Sequence, residues 1–319
     1  MPVPVFLTID TELVWRHHAA GLSLAQIVAR SIDPAGVGLT RQLASFARHA
    51  LKAICFVDPM PALTFGLDPV RRIVDQVLAA GQEVQLHIHP NWTRAVAGDG
   101  GAAYADFELN QYDAAAQRDL IAGARDLLVA AGAPDPIAFR AGSFAADDAT
   151  LAALAALGIA YDSSHNGAEP GGMALPRAHI APCERLGITE VPVTVIEDRV
   201  GHYRPFQLCA MSIAEMRAAL DHAVASDHGA VTIVSHSFEL ATRAGTAPNH
   251  VHLNRFDALC ALLDERRDDL PTVHFADRPA LRTGRDDRPL GPSLLRTGWR
   301  QAEQLWSNVV AERVPAGGA

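Results

Sequence analysis

Cysteine is scarce: Cys55, Cys183, Cys209 and Cys260 are the only four in 319 residues, far apart and with no CxxC pair. That spacing excludes a disulfide framework and a thiolate zinc site, and it fits a reducing compartment. Positive charge is also in deficit, with 27 Lys and Arg against 36 Asp and Glu and a formal net charge of -9. No basic face is expected, and with it no nucleic-acid partner. No run approaches the roughly 20 apolar residues of a membrane span. Met1 to Phe6 carries no basic segment ahead of an apolar one, so the expectation is a cytoplasmic protein without a transmembrane segment. Tandem repeats and low-complexity linkers are absent too. What remains, 49% hydrophobic and 20% charged residues, is an ordinary globular composition. A chain of this size buries roughly 75% of its unfolded surface, so folding needs no metal and any metal serves chemistry.

Short β-like runs alternate with longer helical ones, the α/β signature. Strands are expected at Val3 to Ile9, Lys52 to Val57, Glu83 to His89, Ile137 to Arg140, Ile159 to Asp162, Ala230 to Ser235 and Thr272 to Phe275, with an edge strand at Glu190 to Ile196, where Pro192 removes a donor. Helices are expected near Gly38 to His49, Pro69 to Ala80, Ala114 to Ala131, Asp147 to Leu157, Ser212 to Ala225 and Asn254 to Arg266, and Thr93 to Asp113 reads as an irregular loop over one end of the fold. The pattern implies one domain of about 285 residues with six to eight parallel strands, naturally closed as a barrel. Residues 286–319 form a tail in which Leu295, Trp299, Ala302, Trp306 and Val309 share a helical face. That face suits docking on the barrel or a subunit contact.

In parallel α/β folds the carboxyl ends of the strands converge on one mouth, so polar groups that directly follow buried strands are the informative ones. Four places qualify: Asp10 and Glu12, His87 and His89, Arg140, and His236. Residues i and i+2 of a strand face the same side about 6.5 to 7 Å apart, close enough for two imidazoles to reach one tetrahedral metal. Asp10 and Glu12 obey the same parity, and two carboxylates side by side repel unless a cation relieves them. His236 ends the run Val231 to Val234, where a titratable group serves as a general acid or as a satisfied structural histidine. Arg140 suits orienting a carboxylate, gripping an anion or a plain ion pair. Glu239, one turn past His236, is either its partner or a helix-start acid. Trp92, Phe144 and Tyr203 are the aromatics placed to stack on a sugar, with core packing as the alternative.

Taken in order, Leu7-Thr8-Ile9-Asp10-Thr11-Glu12, Leu86-His87-Ile88-His89-Pro90, Phe139-Arg140-Ala141-Gly142-Ser143-Phe144 and Ile233-Val234-Ser235-His236 resemble the motifs of the polysaccharide deacetylase, NodB-like superfamily (carbohydrate esterase family 4). The likeness spans roughly residues 3 to 280. It implies a distorted (β/α)7-type barrel of mostly parallel strands, one divalent ion that is commonly zinc, and removal of an N-acetyl group from an amino sugar or glycan. It also implies roles: Asp10 as catalytic base, His87 as a metal ligand, Arg140 as the residue that positions the base, and His236 as general acid. Two positions depart from the family pattern. Thr11 stands where a second Asp is usual and Asn91 where the second histidine of an HxxxH pair is usual. Glu12 and His89 are therefore assigned as replacement ligands, with Asn91 as a weak additional one. Two other functions compete: a metal-dependent C-N hydrolase acting on a small cyclic amide, and a non-catalytic carbohydrate-binding relative, which Thr11 and Asn91 favour.

Overall fold

The structure, a computed structural model, describes residues 1–96, 107–169 and 172–311. Along them run β1 (Val5–Thr11), α1 (Trp15–Ala19), α2 (Leu24–Ser31), α3 (Leu39–Arg48), β2 (Ile54–Val57), α4 (Ala62–Phe65), α5 (Asp68–Ala79), β3 (Glu83–Ile88), α6 (Ala114–Ala130) and β4 (Ala138–Ala141). Then come α7 (Asp148–Ala156), β5 (Tyr161–Asp162), β6 (Cys183–Arg185), β7 (Ile188–Glu190), β8 (Val195–Arg199), β9 (His202–Pro205), α8 (Ile213–Ala225), β10 (Val231–His236), α9 (His250–Glu265) and α10 (Leu294–Trp306). Among the described residues no helix is long and apolar enough to cross a membrane.

One sheet has the order β10-β1-β2-β3-β4-β5-β7-β6, parallel except for the β6–β7 hairpin, while β8 and β9 pair separately as an antiparallel ribbon. The stretch after β7 carries the sheet round on itself. Val191 donates to the Asp162 carbonyl (2.8 Å), Val193 to that of His165 (2.9 Å), and Thr194 to that of Thr232 on β10 (3.2 Å). The ring thus closes through isolated hydrogen bonds, with Pro192 inside the closing segment, and the result is a distorted barrel of mostly parallel strands.

Strand parity sorts the barrel into two cores. Val5, Leu7 and Ile9 of β1, with Cys55, Val57, Leu86 and Ile88, pack outward under the helices. The alternate positions, Phe6, Ile54, Phe56 and Ala138, meet Val191, Ala230 and Phe275 inside the barrel. The Phe6 and Phe275 rings stack 4.6 Å apart. This aromatic plug fills the lower lumen, so the polar residues one or two steps further along the same strands are left to line the mouth.

Several expected boundaries move. The first strand lies two residues later than expected, which puts Asp10 and Thr11 inside it and Glu12 just beyond. The anticipated edge strand over 190–196 is two pieces, β7 and β8, parted by the closing segment around Pro192. At 272–275 only Thr272 bridges Val5, and a single 3-10 turn follows. The helix expected from Asn254 begins at His250 because the Asn249 side chain caps Val251 and His252. Helices α1 and α2 occupy a stretch that the strand–helix alternation does not flag. Of the expected 93–113 loop, residues 97–106 lie outside the described residues, and Leu109–Gln111 forms a 3-10 turn.

The tail docks on the barrel by its polar face, so of the two uses expected for the apolar stripe, docking on the barrel is not the one it serves. Its buried residues are Thr297 and Arg300. Arg300 donates to Glu215 Oε1 (3.0 Å) and Asp198 Oδ2 (2.8 Å), and Arg255 reaches Glu303 (2.9 Å). These buried charge pairs hold α10 against α8, α9 and β8, while the leucines and tryptophans look outward.

Candidate active site

Asp10 and His236 are register partners on β1 and β10, and His87 and Arg140 are register partners on β3 and β4. Parallel pairing keeps each couple on one face, so all four side chains point into the mouth. Arg140 is fully buried with its guanidinium 4.4 Å above the Phe56 ring. Its Nη1 donates to Asp10 Oδ1 and Thr8 Oγ1 (both 2.7 Å), its Nε to the Ser163 carbonyl and its Nη2 to Ser163 Oγ (both 3.0 Å). Every guanidinium nitrogen is engaged, which fixes the Asp10 carboxylate in place. Burial works against the charge on Asp10, but Arg140, His87 and His236 together hold its pKa below the usual carboxylate range.

His236 Nε2 lies 3.9 Å from Asp10 Oδ2, and its Nδ1 lies 3.6 Å from Glu239 Oε1. Glu239 is therefore the partner of His236 rather than a surface acid. Gln207, which the sequence reading does not single out, donates to Glu239 Oε1 (2.7 Å) and sits 3.4 Å from His236 Nδ1. Burial alone would lower the His236 pKa; Glu239, Asp10 and Glu12 outweigh it and push the value up to about 9.

Across the mouth, Glu12, His87 and His89 each bring one ligand atom into a group whose members all lie within 4.8 Å of one another. His87 Nε2 is 3.5 Å from Glu12 Oε2, and His89 Nε2 is in direct contact with the same oxygen. His87 Nδ1 faces the Arg140 carbonyl at 2.8 Å. Donation to that carbonyl leaves the Nε2 lone pair directed at the group, the usual way a ligating imidazole is oriented. Gly142 lies against the face of His89, where a Cβ would overlap the ring. Burial raises the Glu12 pKa, but the two histidines carry it well below the normal range; burial lowers that of His89, and Glu12 carries it up to about 9. Two imidazoles and one carboxylate form a borderline donor set that suits a first-row divalent ion such as zinc. His89 Nδ1 is buried without a hydrogen-bond partner among the described residues.

Asp58 is the acidic residue of this mouth that the sequence reading passes over. It shares parity with Ile54 and Phe56 and follows β2 directly, so the rule that found Asp10 and Glu12 also points to it. Its Oδ1 accepts from the Met60 amide (2.9 Å) while Oδ2 is buried and unpartnered among the described residues. Burial pushes its pKa up to about 6 against the pull of His89 and His87. Thr11 faces away from the mouth: its hydroxyl donates to the Ile9 carbonyl (3.3 Å) and it contacts Cys55 in the outer core. Asn91 is buried in the turn after β3, with neither amide atom hydrogen-bonded among the described residues.

The three aromatics separate. Trp92 is buried in an outer cluster with Trp15, His18 and Phe65 at centroid distances of 5.0, 5.2 and 5.9 Å, which leaves no ring face for a sugar. Tyr203, on β9, is instead approached by the Arg177 guanidinium at 5.8 Å. Phe144 alone of the three borders the mouth, 6.0 Å from the Arg140 guanidinium carbon, on a turn where Ser143 (φ 55°) and Phe144 (φ 56°) both adopt the left-handed region. Two successive non-glycine residues there cost on the order of 1 kcal/mol each.

No family model and no curated protein matches the sequence. Solved structures match the fold. A protein described as a polysaccharide deacetylase from Mycobacterium smegmatis aligns with 90% of this chain and 94% of its own, at TM-score 0.55 and 19% identity. A 4-alpha-glucanotransferase from Thermococcus litoralis covers 88% of this chain and 41% of its own, at TM-score 0.51 and 11% identity. A family 4 carbohydrate esterase from Streptomyces lividans, solved in complex with acetate, covers 91% and 98%, at TM-score 0.41 and 16% identity. The architecture is a distorted, mostly parallel barrel of the kind seen in the Mycobacterium smegmatis protein. At such identities the likeness speaks for fold, and the chemistry is argued from the site.

Proposed function

We propose that this protein is a metal-dependent deacetylase that hydrolyses the N-acetyl group of an amino sugar or of a glycan carrying one. The observation that supports this reading best is the convergence on one barrel mouth of the Glu12, His87 and His89 donor set, the Asp10–Arg140 couple and His236. A divalent ion held by Glu12, His87 and His89, with Asn91 as a weak additional ligand, would supply Lewis acidity toward water and the amide carbonyl.

Asp10, kept ionised and oriented by Arg140, takes the proton of the attacking water. A C–O bond forms at the acetyl carbon, and the C–N bond then breaks as His236 gives its proton to the leaving nitrogen. Acetate and a free amine result. Glu239 keeps His236 charged and turned toward Asp10, and Gln207 holds the Glu239 carboxylate by donating to its Oε1. Phe144 offers the sugar a ring face at the mouth.

Acetate release from N-acetylglucosamine oligomers, with and without chelator, tests the reading. Chelator-sensitive release that zinc restores supports it; release from a cyclic amide alone would redirect it to a different C-N hydrolase. One observation favours the non-catalytic alternative: the contact of His89 with Glu12 is also a sound ion pair. A protein that binds the oligomers, takes up no metal and releases no acetate would be that binder.

A further inference from the structure

Helix α10 is amphipathic in the inverted sense. Its polar face is buried through Thr297, Arg300 and Glu303, whereas Leu294 (86% exposed), Leu295 (88%), Leu305 (65%), Trp299 and Trp306 (63% each) face outward. With Val309 these residues present several hundred Å² of exposed apolar surface, comparable with the roughly 800 Å² that a standard interface buries per partner. Monomeric proteins seldom carry a contiguous apolar patch beyond about 300–600 Å². Buried guanidinium–carboxylate pairs fix the direction in which the helix faces, so turning the apolar side inward would strand those charges.

From these observations we infer that α10 is the interface through which two copies of this chain pair about a two-fold axis. The area matches what a stable dimer needs, and a helix face that covers its own copy needs no second complementary surface. Gly298 and Ala302 lie one turn apart in the middle of the apolar face, and a Cβ at Gly298 would meet nothing within 4 Å. Two helices can therefore approach closely there, with Leu294 and Leu305 on one flank and Leu295, Trp299 and Trp306 on the other. Beside Trp299 and Trp306 a cavity of about 320 Å³, walled by Ile213, Val251 and Arg255, offers room for the partner's side chains. A net charge of -9 works against an anionic membrane as the occupant. The opposite side of the same segment, through Gln304, Ser307 and Asn308, walls a cavity of about 230 Å³ that His236 also lines. Pairing would thus brace one wall of the catalytic mouth.

Sedimentation velocity on the full chain, with Leu295→Glu and Trp306→Glu variants alongside, tests the inference. Both positions are exposed, so circular dichroism should report unchanged folding. The expected result is a dimer whose dissociation constant rises at least about 100-fold in the double variant. A monomer at all micromolar concentrations overturns the proposal, as does a dimer that tolerates both substitutions. A monomer that co-sediments with neutral phosphatidylcholine vesicles, and ceases to do so when Trp306 is changed, overturns it in favour of a lipid surface. None of these readouts depends on deacetylase activity.

Discussion

On the Asp10 side of the barrel mouth, every nitrogen of the Arg140 guanidinium has a partner and His236 sits between two carboxylates. On the Glu12 side, His89 Nδ1, Asp58 Oδ2 and both Asn91 amide atoms are buried without partners among the described residues, and two imidazoles crowd one carboxylate oxygen. An unpaired buried polar group costs about 1–3 kcal/mol, so the second side carries more of that expense than the first, where Glu239 Oε2 is the buried atom of these groups without a partner among the described residues. The difference teaches how labour is divided. On the proposed reading, protein groups alone preorganise the proton-transfer half, and the Glu12 side is the half that a metal ion would complete.

Breaking the preorganised half should have the largest effects. Asp10→Asn and His236→Ala should each lower the rate of acetate release about 10²- to 10⁴-fold with metal content unchanged; metal loss in either variant would show that the two halves are not separate. Arg140→Met should destabilise folding by about 3–5 kcal/mol in chemical denaturation, because it strands the buried Asp10 carboxylate. A loss under 1 kcal/mol would mean that Asp10 is solvated in solution. On the other half, Gly142→Ala drives a methyl group into His89 and should weaken metal affinity about 10- to 100-fold, on top of an overpacking cost of about 1–3 kcal/mol measured without metal.

The smallest effect concerns the proton itself. Glu239→Gln removes a carboxylate beside His236, so the imidazole pKa should fall from about 9 toward the ordinary 6.5. The alkaline limb of kcat/KM should move down by about one to two pH units. The linked stability has the same sign: charged His236 is stabilised fully below pH 6.5, and that contribution disappears as the pH rises through about 9. The stability gap between wild type and variant should therefore be widest in acid and close in alkali. A pH-independent gap would assign Glu239 a purely structural role.

Much of the mouth was legible because parallel strands deliver their carboxyl ends to one place and alternation says which side chains face it. Asp10, His87, Arg140 and His236 need no more than that, and the same rule extends to Asp58, directly after β2. Gln207 was not legible. It arrives from a segment bridged to Val234 by a single pair, and no periodicity marks such a contact. Trp92 and Phe144 look alike as aromatics after strands, yet one closes an outer aromatic cluster and the other is turned to the mouth by two left-handed residues. For α10 the apolar stripe is legible but which face docks is not, because buried ion pairs from Asp198 and Glu215 decide it.

Zinc titration of the full chain, freed of metal by chelator and followed calorimetrically, tests the central assignment most directly. One ion per chain, with binding lost in Glu12→Ala and in His89→Ala but kept in Asp10→Asn, is the expected result. Absence of binding, or binding that survives both ligand substitutions, would contradict it.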